Sequence, residues 1–235
     1  MATGEEFHGS RVTAHGSQVA PLTDMLSVEV RPLHPSTTER VLIDGPAGQI
    51  EIDLNDPGPR RRGIALIAHP NPLQGGTRDN KVVTTLAKTL FALGHVTLRP
   101  NFRGVGASEG VHDHGIGETD DLVAVAAHAR GRWGGELPLL LAGFSFGGFV
   151  QTRVAGRVAA QRLVLVAPAV NRFRAEPVAA ETLVIHGESD DVVPLRAVLD
   201  WARPQHLPVV VVPGGGHFFH GQLGQLSRIV LAWCH

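Results

Sequence analysis

A serine between two glycines has the surroundings that nucleophilic chemistry requires. Residues 143–147 read Gly-Phe-Ser-Phe-Gly, and the apolar residues 139–142 before them indicate a buried strand. Phe149 and Val154 follow with helical spacing, so the pattern predicts a sharp strand-to-helix turn with Ser145 at its tip. Glycine has no β-carbon, which lets the two elements meet closely. We interpret Ser145 as a candidate nucleophile; the alternative is a serine that merely caps the helix.

A serine hydroxyl is a weak nucleophile near neutral pH and needs a histidine base, which in turn needs an acceptor that fixes its tautomer. The acceptor is expected on the loop of residues 187–194, Gly-Glu-Ser-Asp-Asp-Val-Val-Pro, which follows a predicted strand. Asp190 is the preferred acid by its register in this loop. Asp191 competes with it, because a structural hydrogen bond to the loop backbone could occupy either carboxylate.

The base is expected on the last loop, where residues 213–220 read Pro-Gly-Gly-Gly-His-Phe-Phe-His after another predicted strand. His217 is the preferred base because a glycine run presents it at the edge of the sheet. His220 is a rival, and so is His186, although a histidine at a strand end is more often buried and structural.

Hydrophobic periodicity predicts an α/β fold in which strands and helices alternate. Strands are predicted over residues 39–44, 49–54, 63–69, 95–99, 137–144, 162–167, 182–186 and 207–212, and helices over residues 79–93, 118–130, 146–157, 195–202 and 222–233. The first two strands form a hairpin through Gly45 and Pro46, whereas helices separate the later ones. We therefore predict a sheet of about eight mostly parallel strands with helices on both faces, and functional loops beyond their carboxyl ends.

The composition indicates one folded domain over residues 39–235. The chain has 235 residues, of which 43% are hydrophobic and 18% charged, enough for a single core. Residues 1–38 are polar, contain three prolines and show no clear periodicity. We expect them to form a flexible N-terminal extension, and Met25 is an alternative natural start.

Net charge and cysteine content limit the classes of binding partner and the cellular location that we expect. A formal net charge of −1 offers no basic field for nucleic acid or an anionic membrane, and the apolar runs are too short to span a membrane. Residues 1–24 lack the apolar core of a signal peptide, and the single cysteine, Cys234, excludes an intrachain disulfide. We expect a cytoplasmic monomer or homodimer that acts on a small molecule.

Two further segments resemble ligand sites, and we interpret both as structural. Residues 101–106 contain glycines after a strand but lack the full dinucleotide fingerprint. His112, Asp113 and His114 are metal-ligand types, yet alternate loop positions usually diverge and no third ligand is evident. We predict no metal and no cofactor.

The chain resembles the α/β-hydrolase superfamily, and within it the small lidless serine hydrolases, over residues 39–235. The order Ser145, Asp190, His217 is the order of nucleophile, acid and base in that fold. Residues 69–77 read His-Pro-Asn-Pro-Leu-Gln-Gly-Gly-Thr, residues 101–110 have the pattern Asn-x-Arg-Gly-x-Gly-x-Ser-x-Gly, and residues 216–221 read Gly-His-Phe-Phe-His-Gly. One position departs from the pattern, because relatives often have histidine where Asn71 stands.

The resemblance implies an oxyanion hole and an open cleft. Phe146 N–H is the first expected donor, and Asn71 N–H is the second, since Pro70 and Pro72 have no amide hydrogen. Only residues 168–181 separate two predicted strands where many members of the fold insert a cap domain, so the site should lack one.

We expect a carboxylic-ester hydrolase for short to medium acyl chains, with a cleft lined by Leu73, Phe146, Phe173 and Phe218. Any of the phenylalanines beside Ser145 and His217 could equally be plain core. Arg172 and Arg174 either bind an acidic substrate group or are simply solvated. A thioesterase, amidase or peptidase would use the same triad, and a non-catalytic binding protein on this scaffold is a further alternative.

Overall fold

The computed structural model describes Met1 and residues 38–235. The expected N-terminal extension and Met25 lie outside the described residues, apart from Met1 and Thr38. The eight strands are β1 Glu39–Gly45, β2 Gly48–Asn55, β3 Gly63–Ala68, β4 His95–Pro100, β5 Leu139–Phe144, β6 Arg162–Val166, β7 Thr182–Gly187 and β8 Val209–Val212. The five α-helices are α1 Lys81–Ala92, α2 Ile116–Trp133, α3 Phe146–Ala155, α4 Leu195–Ala202 and α5 Leu223–Cys234.

The predicted elements all appear, and their boundaries differ by a few residues. Helix α1 begins two residues later than predicted because the side chain of Asn80 caps it by accepting from Val82 N–H. Helix α2 is five residues longer than predicted, and Glu118 in its first turn accepts hydrogen bonds from the N–H groups of Asp113 and Gly115. Strand β8 is two residues shorter than predicted.

All eight strands form one sheet in the order β1-β2-β4-β3-β5-β6-β7-β8. Strands β3 to β8 are parallel to one another, whereas β2 pairs antiparallel with both β1 and β4. The order of winding reverses between β3 and β5, which are hydrogen-bonded neighbours. Loops diverge at such a point and open a crevice beyond the carboxyl ends of the strands.

Alternate residues of the central strands pack on opposite faces of the sheet. In β3, Ile64 and Leu66 face the layer that contains α2, α3 and α4, whereas Ala65 and Ile67 face the layer that contains α1 and α5. A strand buried on both faces reads as a continuous apolar run, which explains the sequence pattern of β3 and β5. The two helix layers thus hold the centre of the sheet rigidly beneath the crevice.

The connection between β6 and β7 contains no helix or strand. Residues 167–181 cross the surface as an irregular loop, and no cap domain is inserted there. No helix in residues 38–235 is both long and apolar enough to cross a membrane.

A buried ionic network fastens the loop after β3 to the sheet. Arg78, 4% exposed, donates a hydrogen bond of 2.9 Å to Glu51 Oε1, and its Nε lies 3.1 Å from Asp53 Oδ2. Asn101 Nδ2 donates to Glu51 Oε2 at 3.0 Å. The hydrogen bond from Arg78 outweighs burial and lowers the pKa of Glu51 from 4.5 to about 2, so its stabilisation is complete above pH 4.5 and is lost as the pH falls towards 2.

Replacing Arg78 by methionine should lower the free energy of unfolding by about 3 kcal/mol, because Glu51 would lose its buried cation and keep only a 3.5 Å contact with the exposed Arg40. Asp53 would still pair with Arg40 and Arg99. Arg203→Met is the matched control, since Arg203 pairs with Asp200 on the exposed surface and its loss should cost less than about 1 kcal/mol. Urea unfolding at pH 7 measures both values. Equal losses for the two variants would contradict a structural role for the network.

Candidate active site

Ser145 stands at a strained turn between β5 and α3. Its backbone has φ 55° and ψ −117°, a conformation that costs a non-glycine residue roughly 1–3 kcal/mol. A β-carbon on Gly143 would collide with the carbonyl of Gly147, and one on Gly147 would collide with the carbonyl of Ala68. Both glycines are therefore required by close backbone approach, and the turn presents the Ser145 hydroxyl beyond the end of the sheet.

Ser145, His217 and Asp190 form a continuous chain of hydrogen bonds. His217 Nδ1 lies 2.7 Å from Asp190 Oδ2, and His217 Nε2 lies 3.0 Å from Ser145 Oγ. An ionised carboxylate can only accept, so Nδ1 carries the proton and Nε2 is left to accept from the serine hydroxyl. The structure thus brings together the three residues that the sequence proposed as nucleophile, base and acid.

Asp190 is held in place by its own loop. Its Oδ1 accepts from the backbone N–H groups of Val192 and Val193, at 2.9 and 2.7 Å, which leaves Oδ2 for His217. Burial opposes ionisation of Asp190, but the hydrogen bonds from His217 and Val193 outweigh it and lower its pKa below the ordinary value. Asp191 is exposed, so it is Asp190 that meets His217.

The rival histidines occupy other positions. His186 is fully buried and its Nε2 donates to the carbonyl of Val193 at 2.8 Å, so it supports the loop that carries Asp190. Burial lowers the pKa of His186. His220 is exposed and its ring lies 5.8 Å from that of Phe218.

Two backbone N–H groups are available as oxyanion donors beside Ser145. Phe146 is the first residue of α3, so its N–H has no acceptor within the helix. Asn71 precedes a 3₁₀ turn over Pro72–Gln74, and its carbonyl and side-chain oxygens accept from that turn while its N–H has no acceptor in residues 38–235. Asn71, Phe146 and Ser145 line one cleft.

His69 was not singled out from the sequence, yet it joins the two loops beside the cleft. Its Nδ1 donates to the carbonyl of Pro70 at 2.7 Å, and its Nε2 accepts from Phe102 N–H at 2.9 Å. These bonds need the neutral ring, and burial lowers the pKa of His69 to about 4. The signal available in the sequence was the position of His69 at the end of a predicted buried strand and at the start of the motif of residues 69–77.

The cleft beside Ser145 is small: its cavity volume is about 10 Å³, or about 240 Å³ when the open space in front of it is included. Its walls include Asn71, Gln74, Phe146, Arg172, Phe173 and Val192. Phe173 therefore lies where the sequence analysis expected it, and its ring stacks on Phe149 with centroids 4.8 Å apart. A larger cavity near Thr38 and Lys88 contains none of the triad residues.

Leu73 and Phe218 do not line this cleft, contrary to expectation. Leu73 is 68% exposed, because a 3₁₀ turn has three residues per turn and directs Asn71 and Gln74 to one side and Leu73 to another. Phe218 is 43% exposed and packs on the rings of Phe144 and His217. Phe144 and Phe219 are fully buried core residues.

Residues 101–106 and 112–114, which resembled ligand sites in the sequence, make contacts within the protein. Asn101 Oδ1 accepts from Arg78 N–H, and Arg103 pairs with Asp121 at 2.8 Å. The rings of His112 and His114 touch at 5.0 Å rather than diverging, and His112 Nδ1 lies 2.8 Å from Glu118. Within residues 38–235, no three histidine, cysteine or acidic side chains come together in a group that could hold a metal ion.

Comparison with known proteins finds similar chains over most of this sequence. The family model for serine aminopeptidases, S33, matches residues 72–179. An α/β serine hydrolase without a lid from Xanthomonas campestris is 38% identical, with a TM-score of 0.79 over 86% of this chain and 95% of the other. An α/β serine hydrolase homologue from Coxiella burnetii is 41% identical, with a TM-score of 0.78 over 83% of this chain and 97% of the other.

An uncharacterized protein of Rickettsia prowazekii is 29% identical over 205 residues, which are 81% of this chain and 86% of that protein. The structure agrees with these similarities: the sheet has eight mostly parallel strands, and the connection after β6 contains no cap domain. The chain belongs to the α/β-hydrolase superfamily and resembles its small serine hydrolases without a lid.

Proposed function

We propose that this protein hydrolyses carboxylic esters of short to medium acyl chains, with Ser145 as nucleophile, His217 as general base and acid, and Asp190 as the carboxylate that orients His217. The observation that carries the proposal is the 3.0 Å contact between Ser145 Oγ and His217 Nε2 at a strained turn beside two unpaired N–H groups. Nucleophile, base and oxyanion donors in one cleft are the parts that acyl transfer requires.

The reaction follows from this geometry. Ser145 Oγ attacks the acyl carbon while His217 Nε2 takes its proton, and the N–H groups of Phe146 and Asn71 bind the oxyanion that develops. The imidazolium, stabilised by Asp190, then protonates the departing alcohol and leaves an acyl-enzyme. A water molecule attacks the acyl carbon while His217 takes one of its protons. The bond between the acyl carbon and Ser145 Oγ then breaks, and His217 returns the proton to Oγ as the carboxylic acid leaves.

The size of the cleft favours small acyl groups. Its cavity volume of about 10 Å³ lies far below the roughly 300–1,000 Å³ of pockets for drug-sized ligands. Phe146, Phe173 and Val192 supply apolar walls for a short chain. Because residues 38–235 form no cap over the site, a longer acyl chain would extend beyond the cleft that these residues form.

A peptidase is the second candidate, because the matching family model describes serine aminopeptidases. An aminopeptidase must bind the ammonium group of its substrate, and a carboxylate is the natural partner for that group. The residues that line this cleft include no carboxylate and do include Arg172, which would repel an ammonium group. The charge of the cleft therefore favours an ester over an aminoacyl substrate.

Ser145→Ala should lower kcat for 4-nitrophenyl butyrate by about 10⁴-fold or more, because the nucleophile is removed. Ser227→Ala is the control, since Ser227 lies on α5 and hydrogen bonds to Thr89. Initial rates of nitrophenol release at pH 8 measure both variants. Ester hydrolysis that survives in Ser145→Ala would exclude this serine as the nucleophile.

The wild-type protein should hydrolyse 4-nitrophenyl acetate and butyrate with a far higher kcat/KM than alanine 4-nitroanilide, because Arg172 disfavours a substrate ammonium group. N-acetylalanine 4-nitroanilide, which has the same scissile bond without the positive charge, serves as the control. A preference for the free aminoacyl anilide over both the esters and the acetylated control would favour the peptidase.

Asn71→Pro should lower kcat about 100- to 1,000-fold relative to Asn71→Ala, because proline removes the proposed oxyanion donor. Both variants lose the side-chain oxygen that caps the 3₁₀ turn, so their ratio reports the N–H group alone. The φ angle of −56° at Asn71 is one that proline adopts without strain. Thermal unfolding of the two variants checks that both remain folded, and equal kcat values would show that this N–H is not a donor.

A further inference from the structure

We infer that Arg172 makes the cleft selective for esters that carry a carboxylate within a few carbon atoms of the scissile bond. This inference rests on the proposed ester hydrolysis and names the class of ester. Three observations support it: the charge of the cleft, the lack of an ionic partner for Arg172, and the way the backbone around Arg172 is held.

Arg172 is the one formally charged residue among those that line the cleft with Ser145. Asp190 does not contribute a compensating charge to this wall, because it is buried and its two oxygens are already bonded to His217 and to the backbone of its own loop. The two oxyanion donors add the positive ends of N–H dipoles. The cleft therefore presents positive charge to a bound molecule.

The guanidinium of Arg172 has no carboxylate within 4 Å in the part of the chain that the structure describes. Some other arginines of the described chain do have carboxylate partners. Arg103 pairs with Asp121 and Arg157 pairs with Asp120, so their charges are already neutralised. The charge of Arg172 is available to a ligand.

The backbone on both sides of Arg172 is fastened to the catalytic loops. Ala169 N–H donates to the carbonyl of Ser145 at 3.1 Å, and the carbonyl of Ala169 accepts from Arg172 N–H and Phe173 N–H. Asn171 Nδ2 donates to the carbonyl of Val192 at 3.1 Å.

On the other side, the ring of Phe173 lies stacked on that of Phe149. Arg172 thus projects from a turn of fixed position relative to Ser145. Binding a carboxylate there orders one side chain but no loop, which limits the entropic cost.

Arg174 provides a matched control two residues further along the same loop. It is exposed like Arg172, but it does not line the cleft. A general effect of positive charge near the site would depend on both arginines, whereas a direct contact with the substrate would depend on Arg172 alone.

The test compares esters that differ only in methylation of one carboxylate. Monomethyl glutarate carries the charge on the acyl side and 3-acetoxypropionate carries it on the alcohol side. Dimethyl glutarate and methyl 3-acetoxypropionate are their neutral counterparts, and chromatography quantifies the methanol or acetate released. The measured quantity is the ratio of kcat/KM for the charged ester to kcat/KM for the neutral ester, in wild type, Arg172→Ala, Arg172→Lys and Arg174→Ala.

For at least one pair, we expect Arg172→Ala to lower this ratio about tenfold, as for loss of a charge-assisted hydrogen bond at a half-open site. Arg172→Lys should lower the ratio less than Arg172→Ala does, because lysine keeps the positive charge. Arg174→Ala should leave the ratio unchanged. Raising the salt to 0.5 M should lower the ratio for wild type.

An unchanged ratio in Arg172→Ala for both pairs, or an equal fall in Arg174→Ala, would overturn the inference. Hydrolysis of the neutral esters by wild type and its loss in Ser145→Ala are measured alongside. If they hold while the ratio does not depend on Arg172, only the charge selectivity fails. If wild type hydrolyses none of these esters or the nitrophenyl esters, the proposed function itself fails.

Discussion

The close approach of backbones where β5 turns into α3 is the constraint on which the rest of the site depends. Only glycine fits at positions 143 and 147, and Ser145 between them is held at a positive φ by the sheet and helix on either side. Ser145 N–H donates to the carbonyl of Val166, while its own carbonyl accepts from Phe149 and Ala169. The turn is therefore bonded to β6, to α3 and to the loop that carries Arg172. These hydrogen bonds offset the backbone strain at Ser145.

The other groups proposed for catalysis reach this turn because the sheet is mostly parallel and reverses its winding between β3 and β5. The loop after β3 supplies Asn71, and the loops after β7 and β8 supply Asp190 and His217. Buried polar groups hold these loops. His69 joins the loops after β3 and β4. Arg78, which lies on the loop after β3, is bonded to Glu51 of β2. Buried polar groups stabilise a fold only when each has its hydrogen-bond or ionic partner. Here those partners hold the loops around Ser145 in position.

The sequence was sufficient for the order and type of the elements, because continuous apolar runs such as β3 and β5 and the helical spacing of α3 have few other interpretations. It also singled out Ser145, Asp190 and His217, whose motifs follow strand ends and whose side chains the structure brings into hydrogen-bond contact. It was not sufficient for side-chain directions on irregular loops: Leu73 and Phe218 point away from the cleft, whereas Gln74 faces it. The partnership of Glu51 with Arg78 was likewise invisible, because it joins residues 27 positions apart without a local pattern.

Activation of Ser145 by His217 is tested most directly with a fluorophosphonate, which reacts with activated serines. Mass spectrometry of the protein after this reaction locates the modified residue. We expect a single phosphonate adduct on the peptide that contains Ser145, and a rate of labelling that falls at least about 100-fold in His217→Ala because the base is lost. An adduct on another residue, or labelling of Ser145 at an undiminished rate in His217→Ala, would contradict this activation.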